Sequence, residues 1–542
     1  MTGGGRHRRS KSSIAPSPTS STSSSPSRYS EPRLPQWKFS QVLGNLPPVT
    51  GNHRNGPATL RDDADEISTI EFDGGGEFLA AGDHAGRVIL FRRTDGDDDA
   101  RPRAELERAD YAGAPPPPRY AYATEFQSHE PEFDVLHSLE IGEKIKRVRW
   151  CARPNRRSLC MLATNDRTVK LWKVSEHKAP KKGEGGERRR STGSLLPLQE
   201  EPHSEWATTA KPRGSSADPA EQIEKVGEVG DGYSAKCRRV FQRAHRFNIN
   251  SISTNCDGET FVSADDLRIN LWHLEVTSQC FNIVDMKPAD MEDLVEVIST
   301  AEFHPSSCSL LAYGSSSGLV RLVDLRRSAL CDQSVRTFRD RGSRPQHSTF
   351  FTEIITCITD LKFTGEGRHL LTRDYMNLKL WDLRLETSPV ATYKVHEFLR
   401  PKLSELYTED YIFDRFRCCA SKDGSYFATG SYRFSSLLVK RMNTYNTFKV
   451  FPHTAAQTTG TTLEASANPY RVQSESHAHT RIPAMFSNFS LGVSRKGHDG
   501  PRPDGKEEAP YNMASRVTQL TWHPTENFIV CAANNSLYMY HT

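Results

Sequence analysis

Gly314-Ser315-Ser316-Ser317-Gly318 comes nearest to a catalytic signature in this chain. A G-x-S-x-G pattern presents a serine nucleophile when a strand turns sharply into a helix and lifts the hydroxyl clear of the sheet. Here the flanking SLLAY and LVRLV both read as strands, so the stretch is a turn between them and no acyl chemistry is expected. The sequence has no phosphate-cradling glycine loop and no HExxH, and its eleven cysteines show no CxxC spacing. His304-Pro305 and His523-Pro524 only repeat one turn position. These residue types predict no enzyme, no metal and no cofactor. One pair is more informative: Asp265 and Asp266 stand side by side in SADDLRINLWHLE, where a strand is about to begin.

The elements that would position them recur along the chain. Each copy is an alternating apolar strand, a turn, a second strand, a tight turn and a third strand that usually ends on an aromatic. ISTIEFDGGGEFLAAGDHAGRVILF is the first copy, INSISTNCDGETFVSADDLRINLW the third and VTQLTWHPTENFIVCAANNSLYMY the seventh. A small twisted sheet of this kind cannot bury both faces alone, whereas seven stacked around an axis cover one another. With Trp172, Trp272 and Trp381 at the strand-end position, the pattern resembles an all-β, seven-bladed WD-repeat β-propeller. A hydrogen-bonded set of His245, Ser263, Trp272 and one of the two aspartates is expected in the third blade, leaving the other carboxylate free to face a partner.

Composition bounds the rest. The net charge of +4 is a near balance over 542 residues, so neither nucleic acid nor a membrane is implied as partner. No apolar stretch follows the basic N-terminus, and the thiols read as free and buried in a reducing compartment, which predicts a soluble cytosolic or nuclear protein. Residues 1–35 are Ser, Pro, Gly and Arg and are expected to be disordered. Residues 36–542 form the propeller, with polar insertions at about 96–118, 175–235 and 454–512. Two further stretches stand out. KPADMEDLVEVI (287–298) predicts one or two helical turns capped by Asp290, with Leu294 and Val297 on one face that packs either on its own blade or on a partner. FQSHEPEFDVLHSLEIGEKI (126–145) sets Glu130, Glu132 and Asp134 ahead of the second repeat.

Together with TRDYMNLKLWDL, VHEFLRPKLSELYTEDYIFDRF and TWHPTENFIV, these stretches resemble the B-family WD-repeat regulatory subunits of protein phosphatase 2A. The resemblance runs from about Gln36 to the end, apart from the insertions. It implies a non-catalytic subunit that sits on a HEAT-repeat scaffold beside the catalytic subunit and selects phosphoserine and phosphothreonine substrates. It further implies docking roles for Glu132, Asp266, Leu294, Val297, Phe350, Phe351, Tyr407, Asp410 and Phe413. Arg415 stands where the family commonly has lysine, so charge is kept and hydrogen-bond geometry changes. The family's scaffold-gripping arm has little counterpart in residues 175–235 beyond Ser194-Leu195-Leu196-Pro197-Leu198. Substrate segments that combine Arg or Lys with an apolar face, as an amphipathic helix does, are the expected ligands. The alternative is a WD-repeat adaptor for another multiprotein complex, for which the same propeller would serve.

Overall fold

Short strands separated by Gly-, Asp- and Ser-bearing turns build every blade of the computed structural model. The structure describes residues 36–44, 66–94, 117–135, 138–152, 158–177, 226–229, 232–328, 330–331, 335–340, 350–432, 446–453, 460–465, 472–473 and 516–542. Blade 3 is typical: Ser251–Thr254, Thr260–Ala264, Arg268–His273 and Val276–Asp285 pair antiparallel in sequence order. Its second strand, TFVSA, is buried along nearly all its length because a neighbouring blade covers each face, which removes the usual polar alternation.

The inner strands of successive blades touch around the ring, from Ile67–Phe72 in blade 1 through Arg147–Trp150, Ser251–Thr254, Ile298–Phe303, Asp360–Phe363 and Cys418–Ala420 to Gln519–Trp522 in blade 7, which meets blade 1 again. The core is accordingly divided into layers. Phe78, Leu90 and Phe126 of blade 1 pack on Val148, Met161 and Trp172 of blade 2, and equivalent apolar clusters fill the other six junctions among the described residues. Charged side chains from inner strands join across blades: Arg149 reaches Glu71 (2.5 Å) and Glu302 (3.4 Å), Lys362 reaches Glu302 (2.5 Å), and Arg417 reaches Asp360 (2.9 Å). Burial lowers the pKa of the neighbouring Arg147 guanidinium to about 10.

Blade 7 takes its outer strand from the other end of the chain. Lys38–Gly44 pairs antiparallel with Ser536–His541, so the first described strand latches the last. Gly44 has a φ of +110°, and a Cβ there would lie 2.3 Å from the Asn535 carbonyl oxygen, so only glycine fits. Two expected insertions are shorter than their sequence suggests. In the 175–235 stretch, Val169–Glu176 runs past its start, Val226–Val229 forms an extra outer strand of blade 2, and Tyr233–Phe241 begins inside it. Thr461–Ala465 and Val472–Gln473 extend blade 6 within the 454–512 stretch. The 1–35 tail and the Ser194–Leu198 segment lie outside the described residues.

Candidate docking surface

In an antiparallel blade, the turn between second and third strands and the connection to the next blade emerge on the same rim. Asp265 and Asp266 occupy such a turn, and all the other predicted site residues occupy blade-to-blade connections. Topology thus gathers every candidate on one rim of the propeller.

The two aspartates divide their work. Asp265 is buried; one carboxylate oxygen accepts from the Leu267 and Arg268 amides (2.8 and 2.7 Å), and the other from His245 Nδ1 (2.8 Å). With its Nδ1–H donated to the carboxylate, His245 accepts at Nε2 from the Ser263 hydroxyl (2.6 Å), and Ser263 Oγ accepts in turn from Trp272 Nε1 (2.8 Å). The expected four-residue set is therefore complete, and Asp265 is its acid. Asp266 faces outward and is only half-buried. Its Oδ1 accepts from Asn250 Nδ2 (2.7 Å), its carbonyl accepts from the Ile298 amide (2.7 Å), and its Oδ2 has no protein partner among the described residues.

The predicted helix at 287–298 is only one 3-10 turn, Met291–Asp293. Asp290 caps it as expected, its carboxylate accepting from the Glu292 amide (3.0 Å). Leu294 has already left helical geometry (φ −68°, ψ 111°), so Leu294 and Val297 do not share a helical face. Tertiary pairing decides this, because Ile298 must enter blade 4 with its amide on Asp266. Both residues remain half-buried on the rim, and Val297 lies next to Asp266 through that bond. A cavity of about 190 Å³ beside the corner is lined by Phe247, Met291, Arg246, Arg268 and Lys287, among others. The surface here is thus mixed in sign.

The larger apolar feature is a shelf between blades 5 and 6. Helix α1 (Phe350–Ile355) and helix α2 (Leu403–Thr408) bring Phe350, Phe351 and Tyr407 into mutual edge contact, with ring centroids 5.2 to 6.0 Å apart, and Phe413 meets Tyr407 at 5.8 Å. Asp410 makes the last contact possible: its left-handed backbone (φ 61°) reverses the chain between α2 and the Tyr411–Phe413 turn. Beneath the rings, Leu399, Leu406, Ile412 and Phe416 are buried. His396 lies under them too, held far below its ordinary pKa by burial and by Arg373. Phe350, Tyr407 and Phe413 nevertheless stay 58%, 40% and 53% exposed, with Glu405, Glu409 and Asp410 exposed around them.

Arg415 ties the shelf to the corner, its Nη1 donating to Asn250 Oδ1 (2.8 Å) while the same Asn250 side chain holds Asp266. Glu132 stands apart, exposed on a small hairpin of Glu132–Asp134 and Leu139–Ile141, and no hydrogen bond or ion pair joins it to the other candidates among the described residues. Phe133 and Val135 beside it are 59% and 77% exposed.

Comparison with known proteins narrows the reading. The family model for the WD domain, G-beta repeat, matches residues 235–273, which run from the outer strand of blade 2 through the third strand of blade 3. The B alpha isoform of the 55 kDa regulatory subunit of serine/threonine protein phosphatase 2A from Oryza sativa subsp. japonica is 46% identical over 529 residues, covering 93% of this chain and 85% of the relative. The corresponding B beta isoform from Arabidopsis thaliana is 45% identical over 520 residues, covering 93% and 97%. The protein phosphatase PP2A 55 kDa regulatory subunit of Drosophila melanogaster is 40% identical over 508 residues, covering 93% and 86%. The chain belongs to the 55 kDa regulatory B subunits of protein phosphatase 2A. In this family member, the site residue that sequence reasoning missed is Asn250. It immediately precedes the inner strand of blade 3 in INSIS, and nothing local marks a polar residue there as the bridge between Asp266 and Arg415.

Proposed function

We propose that the chain acts as the non-catalytic specificity subunit of a protein phosphatase 2A holoenzyme. It contacts a HEAT-repeat scaffold and the catalytic subunit, and it docks phosphoserine and phosphothreonine substrates on the rim that carries Asp266 and the aromatic shelf. The observation that carries this reading is likeness to named regulatory subunits over 93% of the chain. The chemistry of the rim supports the docking half. Exposed rings beside Glu405, Glu409, Asp410 and the open oxygen of Asp266 suit an amphipathic helix that lays an apolar face on the shelf and points Lys or Arg at the acids. Glu132 extends the acidic character toward blade 2. Holding a substrate this way raises its effective concentration at a phosphatase bound nearby.

Pull-down of the full chain from its native cell extract tests the assembly: a HEAT-repeat scaffold and a metal-dependent phosphatase should be recovered, while the purified chain alone should release no phosphate from phosphopeptides. Recovery of neither partner, or turnover by the isolated chain, overturns the reading.

A further inference from the structure

The rim opposite the docking surface carries a pair of thiols. Cys256 lies in the turn between the first two strands of blade 3, and Cys308 lies in the corresponding turn of blade 4. Both are exposed, and their sulfurs are 2.9 Å apart although the residues are 52 positions apart in sequence. That is about 0.9 Å longer than the ~2.05 Å of a disulfide bond, a gap that small torsional changes close. The backbones are already pinned together by one side chain. The carboxamide oxygen of buried Asn255 accepts from the Cys256 amide (2.8 Å), and its Nδ2 donates to the Cys308 carbonyl (3.0 Å). Asn255 is itself anchored by Asp257 and Thr260 (3.1 and 3.0 Å), so the two turns are held in register across the junction.

We propose that Cys256 and Cys308 form a reversible disulfide that clamps blade 3 to blade 4 when the protein meets a hydroperoxide. One thiolate attacks a peroxide oxygen, giving a sulfenic acid and releasing water; the second thiol displaces that oxygen as a second water. Two thiols and one hydrogen peroxide thus become one disulfide and two waters, and a dithiol returns two electrons and two protons to reverse it. The Cys256 thiol is pushed up to about 11, by burial first and then by its contact with Cys308, so it keeps its proton at neutral pH. The other strongly perturbed thiols, such as Cys418, Cys419 and Cys531, are buried in strands and shielded from oxidant. In a reducing compartment such a bond is a transient response, not a permanent staple.

Peptide mapping of the full chain, treated with hydrogen peroxide and then alkylated, reads the bond directly. Trypsin puts Cys256 on the peptide ending at Arg268 and Cys308 on the one beginning at Ile269, which also holds exposed Cys280. The cross-linked pair should appear in the wild type and in Cys280→Ser, vanish in Cys256→Ser and in Cys308→Ser, and be undone by dithiothreitol. Both thiols still alkylated after peroxide, a sulfinic acid in place of the cross-link, or a cross-link lost in Cys280→Ser overturns the proposal. Thermal unfolding reads the clamp: oxidation should raise Tm by a few degrees in the wild type and leave Cys256→Ser unmoved. A proven cross-link with an unchanged Tm overturns the clamping.

Discussion

The corner of blade 3 and the shelf of blades 5 and 6 share a rim and treat water in opposite ways. At the corner, the inward polar groups are buried and paired, with the Asp265 carboxylate, the His245 ring and the Trp272 indole each spending a hydrogen bond on the blade. On the shelf, large rings are left in water over a buried apolar base. A buried and satisfied network fixes shape, whereas exposed aromatic area is free energy still available to a partner. Asp265 and Asp266 show the same division between adjacent residues.

The sharpest way to break this division is Asp265→Ala. It leaves His245 Nδ1 and two backbone amides unpaired in a buried site, so unfolding in urea should show a loss of about 3–5 kcal/mol. Asp266→Ala should cost less than about 1 kcal/mol by the same measurement, since only the bond from Asn250 is lost at a half-exposed site. Equal costs would erase the distinction. Asp266→Lys tests the outward carboxylate: affinity for a basic amphipathic peptide should drop by about 2–5 kcal/mol, read by fluorescence titration, with folding and holoenzyme assembly retained. Unchanged affinity removes Asp266 from the docking surface.

The blades are legible in the sequence because each copy repeats its turns, and because second strands carry unbroken apolar runs, such as FLAA in FLAAGD and the whole of FIVCAA. The outermost strands are not. Tyr233–Phe241 follows a long polar insertion, and Lys38–Gly44 joins blade 7 by a pairing between chain ends that no local pattern encodes. Which aspartate turns inward is left open by the sequence, because Asp265 lies just past the Thr260–Ala264 strand and its bonds to the Leu267 and Arg268 amides and to His245 decide it. The short 3-10 turn is not readable either, because the demand that Ile298 pair with Asp266 overrides the helical spacing of Leu294 and Val297. The shelf rings could be named from resemblance, but their convergence depends on Asp410 adopting a left-handed backbone.

The shelf rests on a neutral histidine, and acid should find it. His396 has its folded pKa depressed, so its stabilisation is complete above the unfolded value of ~6.5 and is lost as pH falls below that, by up to about 1.4 kcal/mol per pH unit. Urea unfolding at pH 7 and pH 5 should show this slope in the wild type, and His396→Gln, which cannot titrate, should reduce it by that share while buried His129, depressed in the same direction, keeps its own. An identical slope in both assigns the acid sensitivity elsewhere. Phe350→Ala should then separate docking from folding on the same shelf: a ring 58% exposed contributes little to stability, under about 1 kcal/mol, while its loss should weaken peptide binding by about 1–2 kcal/mol. A larger cost in stability than in binding would make the shelf a core feature like the corner.

The smallest effect is expected at the link between the two regions. Arg415 is exposed and, among the described residues, makes one hydrogen bond, to Asn250, which still holds Asp266 without it. Arg415→Lys keeps the charge and gives up the planar fork, so stability should move by less than about 0.5 kcal/mol and peptide affinity by less than about twofold. Arg415→Gln is the more telling variant, because it removes a positive charge beside the acid that attracts basic segments. Stopped-flow association of a basic peptide should then quicken by about twofold at low salt, and the gain should fade as salt screens exposed charges beyond about 10 Å at 0.1 M. Slower association at every salt concentration would mean that Arg415 contacts the partner itself, making the link a third docking element in its own right.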